Sequence, residues 1–422
     1  MRFIYSIIIY MAVPFILLRL WVRSRKAAAY GLRWKERFAY INVPPAWQNG
    51  LWVHAVSVGE VLAAIPLIKA IRGQYPDLPI TMTTMTPTGS ARVQASFGDT
   101  VYHVYVPYDI PTVVQRFLDR VKPQAVMILE TELWPNIFYY VNRRGIPLFL
   151  ANARLSERSE KGYAKIGSTT RQMLSCVSIL AAHAKEDAER FIALSMDPSR
   201  VTVTGSIKFE IKVPSSLMEQ GASLRRFFGA NRSIWIAAST HNGEEEIILA
   251  AHKKVLETIP NALLVLVPRH PERFNEVVNL TQKKSFTVVR RSTHNVCLPQ
   301  TQVFVGDTMG EVLLFFSAVD VAFIGGSLIP NGGHNLLEPA ALGVATVTGY
   351  SHFNFKDITN LLLQANAIIQ VWDADDLAET VIDLLQNSAL RTEMGERGRK
   401  VIEQNRGALA AHLTLMEKLF KN

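Results

Sequence analysis

Twice along this chain, short apolar runs alternate with amphipathic stretches of helical length, and that rhythm constrains the fold more than any other feature. The first set of runs is Leu51–Ser57, Ile80–Met85, Ala125–Glu130, Leu148–Ala151, Ile179–Ala182 and Val201–Gly205. Segments such as Glu60–Ile71 and Thr112–Val121 lie between them and read as helices. The segment Lys208–Arg232, with Val213-Pro214-Ser215-Ser216 and no apolar run, breaks the rhythm. It restarts with Ile234–Ala238, Ala262–Val267, Gln302–Val305, Val321–Ile324, Ala345–Thr348 and Ala367–Val371. Strands alternating with helices predict parallel sheets covered on both faces. The economical reading is α/β: two Rossmann-like, doubly wound domains with a linker near 210–230. The expected boundaries are an N-terminal anchor over 1–40, a first domain over 41–215 and a second over 216–400. The last segment, 401–422, is expected to be helical and to pack back on the first domain. Ligands of open parallel sheets bind beyond the carboxyl ends of the strands. Two such sheets facing each other are expected to enclose a central cleft.

Charge singles out the first forty residues. The whole chain carries 45 Lys+Arg against 36 Asp+Glu. Arg2, Arg19, Arg23, Arg25, Lys26, Arg33, Lys35 and Arg37 face the lone acid Glu36 within that segment. Between Phe3 and Leu18 there is no charge at all, a run of roughly 16 residues or about 24 Å of helix, near the lower edge of what spans a bilayer. A cleaved signal peptide is disfavoured because Arg19-Leu20-Trp21-Val22-Arg23 follows instead of small residues. A buried soluble helix is one alternative. A membrane anchor, spanning or lying in the interface, is the preferred reading, because Trp21 and Trp34 sit among basic residues as interfacial anchors do. The cationic flank then marks the cytoplasmic side. A hydrophobic fraction of 49% with 19% charged residues excludes a mainly disordered chain. Cys176 and Cys297 are too few for a disulfide framework, so the globular part is read as living in a reducing compartment.

The chemistry is expected at the strand ends. No G-x-G-x-x-G follows the first strand and no G-x-x-x-x-G-K-[ST] occurs, which weakens dehydrogenase and NTPase readings. H-E-x-x-H and paired C-x-x-C are absent too, so no built-in zinc site is expected. Ser57-Val58-Gly59-Glu60 follows the first strand. Glu60 is either a capping carboxylate or a general base, and the helix terminus and desolvation pull its pKa in opposite directions. Glu130-Thr131-Glu132 ends the third apolar run and is either a structural ion-pair site or orients substrate. Lys208 is either solvated or awaits an anion. In the second half, Pro268-Arg269-His270 follows a strand, and its guanidinium suits phosphate or carboxylate. Met309-Gly310-Glu311 is expected to open a helix whose free N–H groups suit an anion. Gly325-Gly326-Ser327 and Asn331-Gly332-Gly333-His334 lead into Asn335-Leu336-Leu337-Glu338. Together these loops read as a nucleotide pocket. His334 is not expected to ligate metal, having no partner at useful spacing.

Several segments together resemble one family. They are His54–Glu60, Thr83–Gly89, Glu130-Thr131-Glu132-Leu133-Trp134-Pro135-Asn136, Ala151-Asn152-Ala153-Arg154-Leu155-Ser156, Pro268–Phe274 and His334–Pro339. In combination they resemble the Kdo transferases of bacterial lipopolysaccharide synthesis, Kdo being 3-deoxy-D-manno-oct-2-ulosonic acid. The likeness runs from the N-terminal anchor to about residue 410. Leu336 stands where many relatives have Pro, and Gly349-Tyr350 replaces a Gly-Pro. The resemblance implies a GT-B glycosyltransferase that takes Kdo from CMP-Kdo to the tetraacylated lipid A precursor at the cytoplasmic face of the inner membrane. It implies Glu60 as proton acceptor, with Glu130 and Lys208 supporting the transition state. It also implies CMP binding by Pro268 and Arg269, by Met309, Gly310 and Glu311, and by Asn335, Leu336, Leu337 and Glu338. No cofactor, metal or nucleic acid is expected. The competing expectations are another membrane-bound GT-B enzyme using a UDP-sugar, and a non-catalytic nucleotide-binding scaffold.

Overall fold

A computed structural model describes residues 2–26, 28–211 and 213–420. The chain forms two compact units, one of residues 1–210 with 406–422 and the other of residues 211–405. These junctions fall at 210/211 and 405/406, not at 215/216 and 400/401. The stretch expected to be a linker is largely structured, because Leu217–Phe228 is a helix of the second unit with Leu217, Leu224 and Phe228 buried. Its apolar residues recur at helical spacing, which a search for strand runs passes over.

The first unit is built on a parallel sheet of β1 (Leu51–His54), β2 (Ile80–Thr84), β3 (Tyr102–Tyr105), β4 (Ala125–Leu129), β5 (Leu148–Ala153), β6 (Ile179–Ala182) and β7 (Val201–Val203). Its order is β3-β2-β1-β4-β5-β6-β7. The second unit's sheet comprises β8 (Ile234–Thr240), β9 (Leu263–Pro268), β10 (Val288–Arg290), β11 (Val303–Val305), β12 (Val321–Ile324), β13 (Ala345–Gly349) and β14 (Ile368–Val371), ordered β10-β11-β9-β8-β12-β13-β14. Every pairing is parallel. Central strands such as β1, β4, β8 and β12 are buried almost throughout, which is why they read as unbroken apolar runs. The two strands without such a run, β3 and β10, are edge strands and only partly covered. In the first unit, one core on one sheet face includes Trp52, Phe117 and Phe138, and another includes Val53, Leu67 and Phe149. The helix Ala408–Phe420 joins the second of these through Ala408, Leu415, Met416 and Leu419.

Strand order reverses between β1 and β4 in one sheet and between β8 and β12 in the other. At such a point the crossovers leave on opposite faces and a crevice opens beyond the strand ends. Each unit therefore has one preferred place for a ligand.

The N-terminal helix runs from Arg2 to Lys26 with Pro14 inside it. Its window of mean hydropathy 2.1 is long and apolar enough to cross a membrane, yet only 6% of that window is buried. One edge is fastened to the first unit. Arg2 Nη1 and Ser6 Oγ both donate to Asn136 Oδ1 at 3.0 Å, and Tyr10 Oη lies 3.0 Å from Thr112 Oγ1. Ile9 and Val13 pack on the core. The other edge leaves Phe3, Ile8, Met11, Phe15 and Leu18 exposed. Arg25 sits 4.0 Å from the ring centroid of Trp21.

In the second unit, the helix Ser388–Gln404 approaches the turn at Gly343 so closely that a Cβ on Gly395 would lie 2.0 Å from the Gly343 carbonyl oxygen. Backbone cannot yield as a side-chain tip does. Gly395→Ala is expected to destabilise the protein by about 1–3 kcal/mol, read as a lower unfolding midpoint in urea.

Candidate active site

In the first unit, Ser57 ends the turn after β1 and caps the helix Val58–Gln74. Glu60 is the third residue of that helix. The Ser57 hydroxyl accepts from the Glu60 N–H at 3.2 Å and donates to Glu60 Oε1 at 2.8 Å. The Ser57 N–H donates to Oε1 at 3.3 Å and the Val56 N–H to Oε2 at 2.7 Å. This is a capping box, so the structural role weighed for Glu60 is present. The side chain is nonetheless buried, at 7% exposure. Desolvation outweighs the bonds from Ser57 and Val56, the carboxylates of Glu132 and Glu130 add repulsion, and its pKa is pushed up to about 7. The two opposing effects are thus resolved in favour of burial.

Glu130 follows β4 across the same switch point. Its φ is 56°, an uncommon conformation for a residue with a side chain. Its N–H is held by the Ala151 carbonyl at 3.0 Å. Lys208 is not a solvated surface lysine. Its Nζ lies 3.1 Å from Glu130 Oε1, and the two side chains are 28% and 24% exposed. Glu132 accepts from Trp134 Nε1 at 2.8 Å, and burial raises its pKa. Glu60, Glu130, Glu132 and Lys208 therefore form one cluster at the β1/β4 crevice. These four are one cation, one carboxylate paired with it and two further carboxyls whose pKa burial raises, that of Glu60 to about 7.

At the second unit's switch point the strongest feature is one that strand-end reasoning passed over. Ser239-Thr240-His241-Asn242-Gly243-Glu244-Glu245 closes β8 and opens the helix Glu244–Thr258. Glu244 is fully buried. Its Oε2 accepts from the Gly326 N–H at 2.7 Å, and its Oε1 from the Ser327 and Leu328 N–H groups at 2.9 and 3.0 Å. The glycine-rich turn after β12 thus spends these N–H groups on an internal carboxylate. A Cβ on Gly325 would meet Glu244 Oε2 at 2.8 Å, so glycine is required there. The sequence signal was available: three acids open a helix directly after the first strand of that half.

His334 is hydrogen-bonded within this unit. Its Nε2 lies 2.7 Å from His241 Nε2, the rings stack at 3° with centroids 5.0 Å apart, and Asn331 Nδ2 donates to the same His241 nitrogen at 3.0 Å. Burial, with nearby His270 and Arg269, holds both imidazoles neutral down to about 4. No group of three or more His, Cys, Asp or Glu with metal-binding placement occurs among the described residues. Pro268 is the last residue of β9. The Arg269 N–H donates to the Thr240 carbonyl at 3.0 Å, which sets the residue beside the His241–His334 pair.

The other donor-segment residues fare differently. Met309 is exposed, and Gly310 takes φ 85°. The helix they are expected to open is short, Val312–Phe316, and Glu311 stands at its N-cap position without a side-chain capping bond. The Glu311 carboxylate is held by Arg291 at 2.7 and 3.1 Å and by the Thr308 hydroxyl. Asn335 Oδ1 accepts from the Leu337 N–H and its Nδ2 donates to Glu338 Oε1, both at 3.1 Å. Leu336 and Leu337 have buried side chains. Burial raises the pKa of Glu338.

Residues 32–211 match the family described as 3-deoxy-D-manno-octulosonic-acid transferase (kdotransferase), and residues 232–401 match glycosyl transferases group 1. The chain is 42% identical over 420 residues to the 3-deoxy-D-manno-octulosonic acid transferase of Haemophilus influenzae, covering 99% of this chain and 98% of that one. It is 33% identical to the enzyme of the same name from Bordetella pertussis, covering 99% of each. The UDP-GlcNAc 2-epimerase of Neisseria meningitidis, solved with UDP-GlcNAc, is 14% identical with a TM-score of 0.57, over 89% of this chain and 100% of that one. That likeness concerns the fold alone, two Rossmann-like units of GT-B type. Matched by these family models and similar over nearly its full length to these relatives, the chain belongs to the 3-deoxy-D-manno-octulosonic acid transferases and is a glycosyltransferase of lipopolysaccharide synthesis.

Proposed function

We propose that this protein transfers Kdo from CMP-Kdo to a hydroxyl of the tetraacylated lipid A precursor, releasing CMP and inverting the anomeric configuration. The observation that carries this reading is the buried Glu60 carboxyl, whose pKa of about 7 suits a general base near neutral pH. Glu60 takes the acceptor hydroxyl's proton as the oxygen attacks the anomeric carbon. Lys208, held by Glu130 at 3.1 Å, offsets negative charge that develops during transfer. On the second unit, Arg269 serves the donor's anionic groups, with Met309–Glu311 and Asn335–Glu338 completing the CMP site. Glu338 Oε1 takes Asn335, and the same carboxylate is the group suited to ribose hydroxyls. Donor and acceptor are both anionic, so cations here attract and position them.

The acceptor is a lipid, and the N-terminal helix supplies the matching surface at the cytoplasmic face of the inner membrane. The bonds of Arg2, Ser6 and Tyr10 to Asn136 and Thr112 tie its amino end to the globular unit. A helix so tied lies in the interface, with Phe3, Ile8, Phe15 and Leu18 in the acyl region.

Glu60→Gln should lower turnover of CMP-Kdo and lipid acceptor by about 10²–10⁴-fold while CMP binding, followed by calorimetry, stays intact. Unchanged turnover would refute the base assignment. The base must be ionised, so kcat/KM should climb as pH rises through about 7 and level off above it; a profile flat from pH 5 to 9 would contradict this. An N-terminal tag should be cut by protease only from the side that bears the globular body. Cleavage from the opposite side would mean that the helix crosses the bilayer.

A further inference from the structure

The segment Ala151-Asn152-Ala153-Arg154 has no role in the chemistry described so far, yet two of its residues hold both ends of the Glu130–Lys208 pair. The Ala151 carbonyl accepts from the Glu130 N–H at 3.0 Å. Asn152 Oδ1 accepts from the Ile207 N–H at 3.2 Å, immediately before Lys208 in the single turn Ile207–Phe209. Asn152 is fully buried and takes φ 52°, a conformation asparagine tolerates better than most residues. It sits where the β5–β6 register shifts between Leu150 and Ala153, so its N–H is free of the sheet. That N–H donates instead to His412 Nε2 at 2.9 Å, on the helix Ala408–Phe420.

A backbone N–H can only donate and a carbonyl can only accept, so the tautomer of His412 follows. Nε2 carries the lone pair, and Nδ1–H donates to the Ala408 carbonyl at 2.6 Å. Burial keeps the ring neutral down to about 4, so this arrangement persists at physiological pH. A second tie runs between the same elements: Glu210 Oε1 accepts from the N–H groups of Gly407 and Leu409 at 2.8 and 3.3 Å. The turn that carries Lys208 is thus pinned from two sides by the C-terminal helix, and Ile207 is buried against that helix's apolar face.

We infer that Asn152 and His412 are positioning residues, and that the relay His412–Asn152–Ile207 places the Lys208 ammonium against Glu130 for transfer. This rests on the catalytic role proposed above for Lys208. Neither residue reaches substrate. His412 fixes Asn152, Asn152 fixes the turn, and the turn aims the lysine. Displacement of a catalytic group by about 1 Å costs on the order of 10²-fold in rate, so a relay of this kind controls kcat and leaves donor binding by the second unit alone.

The test uses the full-length enzyme with CMP-Kdo and lipid acceptor. His412→Leu removes the acceptor for the Asn152 N–H and should lower kcat by about 10- to 100-fold, with donor KM and CMP affinity unchanged. His412→Gln, whose Oε1 can stand in for Nε2, should recover most of the loss. In a Lys208→Met background, His412→Leu should cost little more, because the relay then has nothing to aim. Should His412→Leu prevent folding, Asn152→Gly keeps the left-handed backbone without the side-chain acceptor and should show the same pattern. Wild-type kcat in His412→Leu, a Gln variant no better than Leu, or a loss that multiplies in full with Lys208→Met would each overturn the relay. If Lys208→Met itself turns over normally, it is the proposed role of the lysine that fails.

Discussion

The reversal of strand order at β1/β4 and at β8/β12 is the constraint on which the rest of the molecule depends. A parallel sheet wound outward in both directions sends its crossovers to opposite faces at one place only. Beyond that place the strand ends are uncovered, and polar groups gather there buried or half-buried. In the first unit those groups are Glu60, Glu130, Glu132 and Lys208. In the second they are Glu244, His241 and the loops after β9 and β12. The same topological rule thus fixes where polar side chains gather in each unit, although the residues share no motif.

The two switch points each bury a carboxylate whose pKa desolvation raises, but they surround it differently. Glu244 is completed by backbone N–H groups of Gly326, Ser327 and Leu328, which shapes the loop, and burial raises its pKa as well. Glu60 accepts from Ser57 and Val56 but shares its crevice with two further acids, and its pKa rises to about 7. One carboxylate therefore holds structure and the other remains available for proton transfer. The distinction lies in the partners: N–H groups of a distant loop fill the Glu244 oxygens, whereas Glu60 is bonded only within its own turn and faces Glu130 and Glu132.

Much of the architecture is legible in the sequence. The central strands are covered on both faces, and their apolar runs declared them. The edge strands β3 and β10 are only partly covered and left no such run. The helix Leu217–Phe228 was passed over because Val213-Pro214-Ser215-Ser216 beside it signals a break. At the site, Glu60 stood out through the Ser57-Val58-Gly59-Glu60 turn, yet its two roles could not be ranked from sequence, because burial depends on what the fold lays over the carboxyl. Chain spacing around His334 bears only on metal ligation; its hydrogen-bond partner His241 lies 93 residues away and is not readable from sequence.

The sequence by itself determined the local conformations, the division into two wound units, the placement of polar motifs at strand ends and the apolar, cation-flanked helix at the amino terminus. These follow from periodicity, turn chemistry and capping, which act over a few residues. Only the tertiary structure decided that Lys208 meets Glu130, 78 residues distant, and that Asn152 is held by His412, 260 residues distant. It likewise decided that Glu60 is a cap and also a buried acid. Such pairings arise because the core packs helices and strand ends together once the sheet has closed, and no short-range preference encodes which distant groups that packing brings within hydrogen-bonding reach.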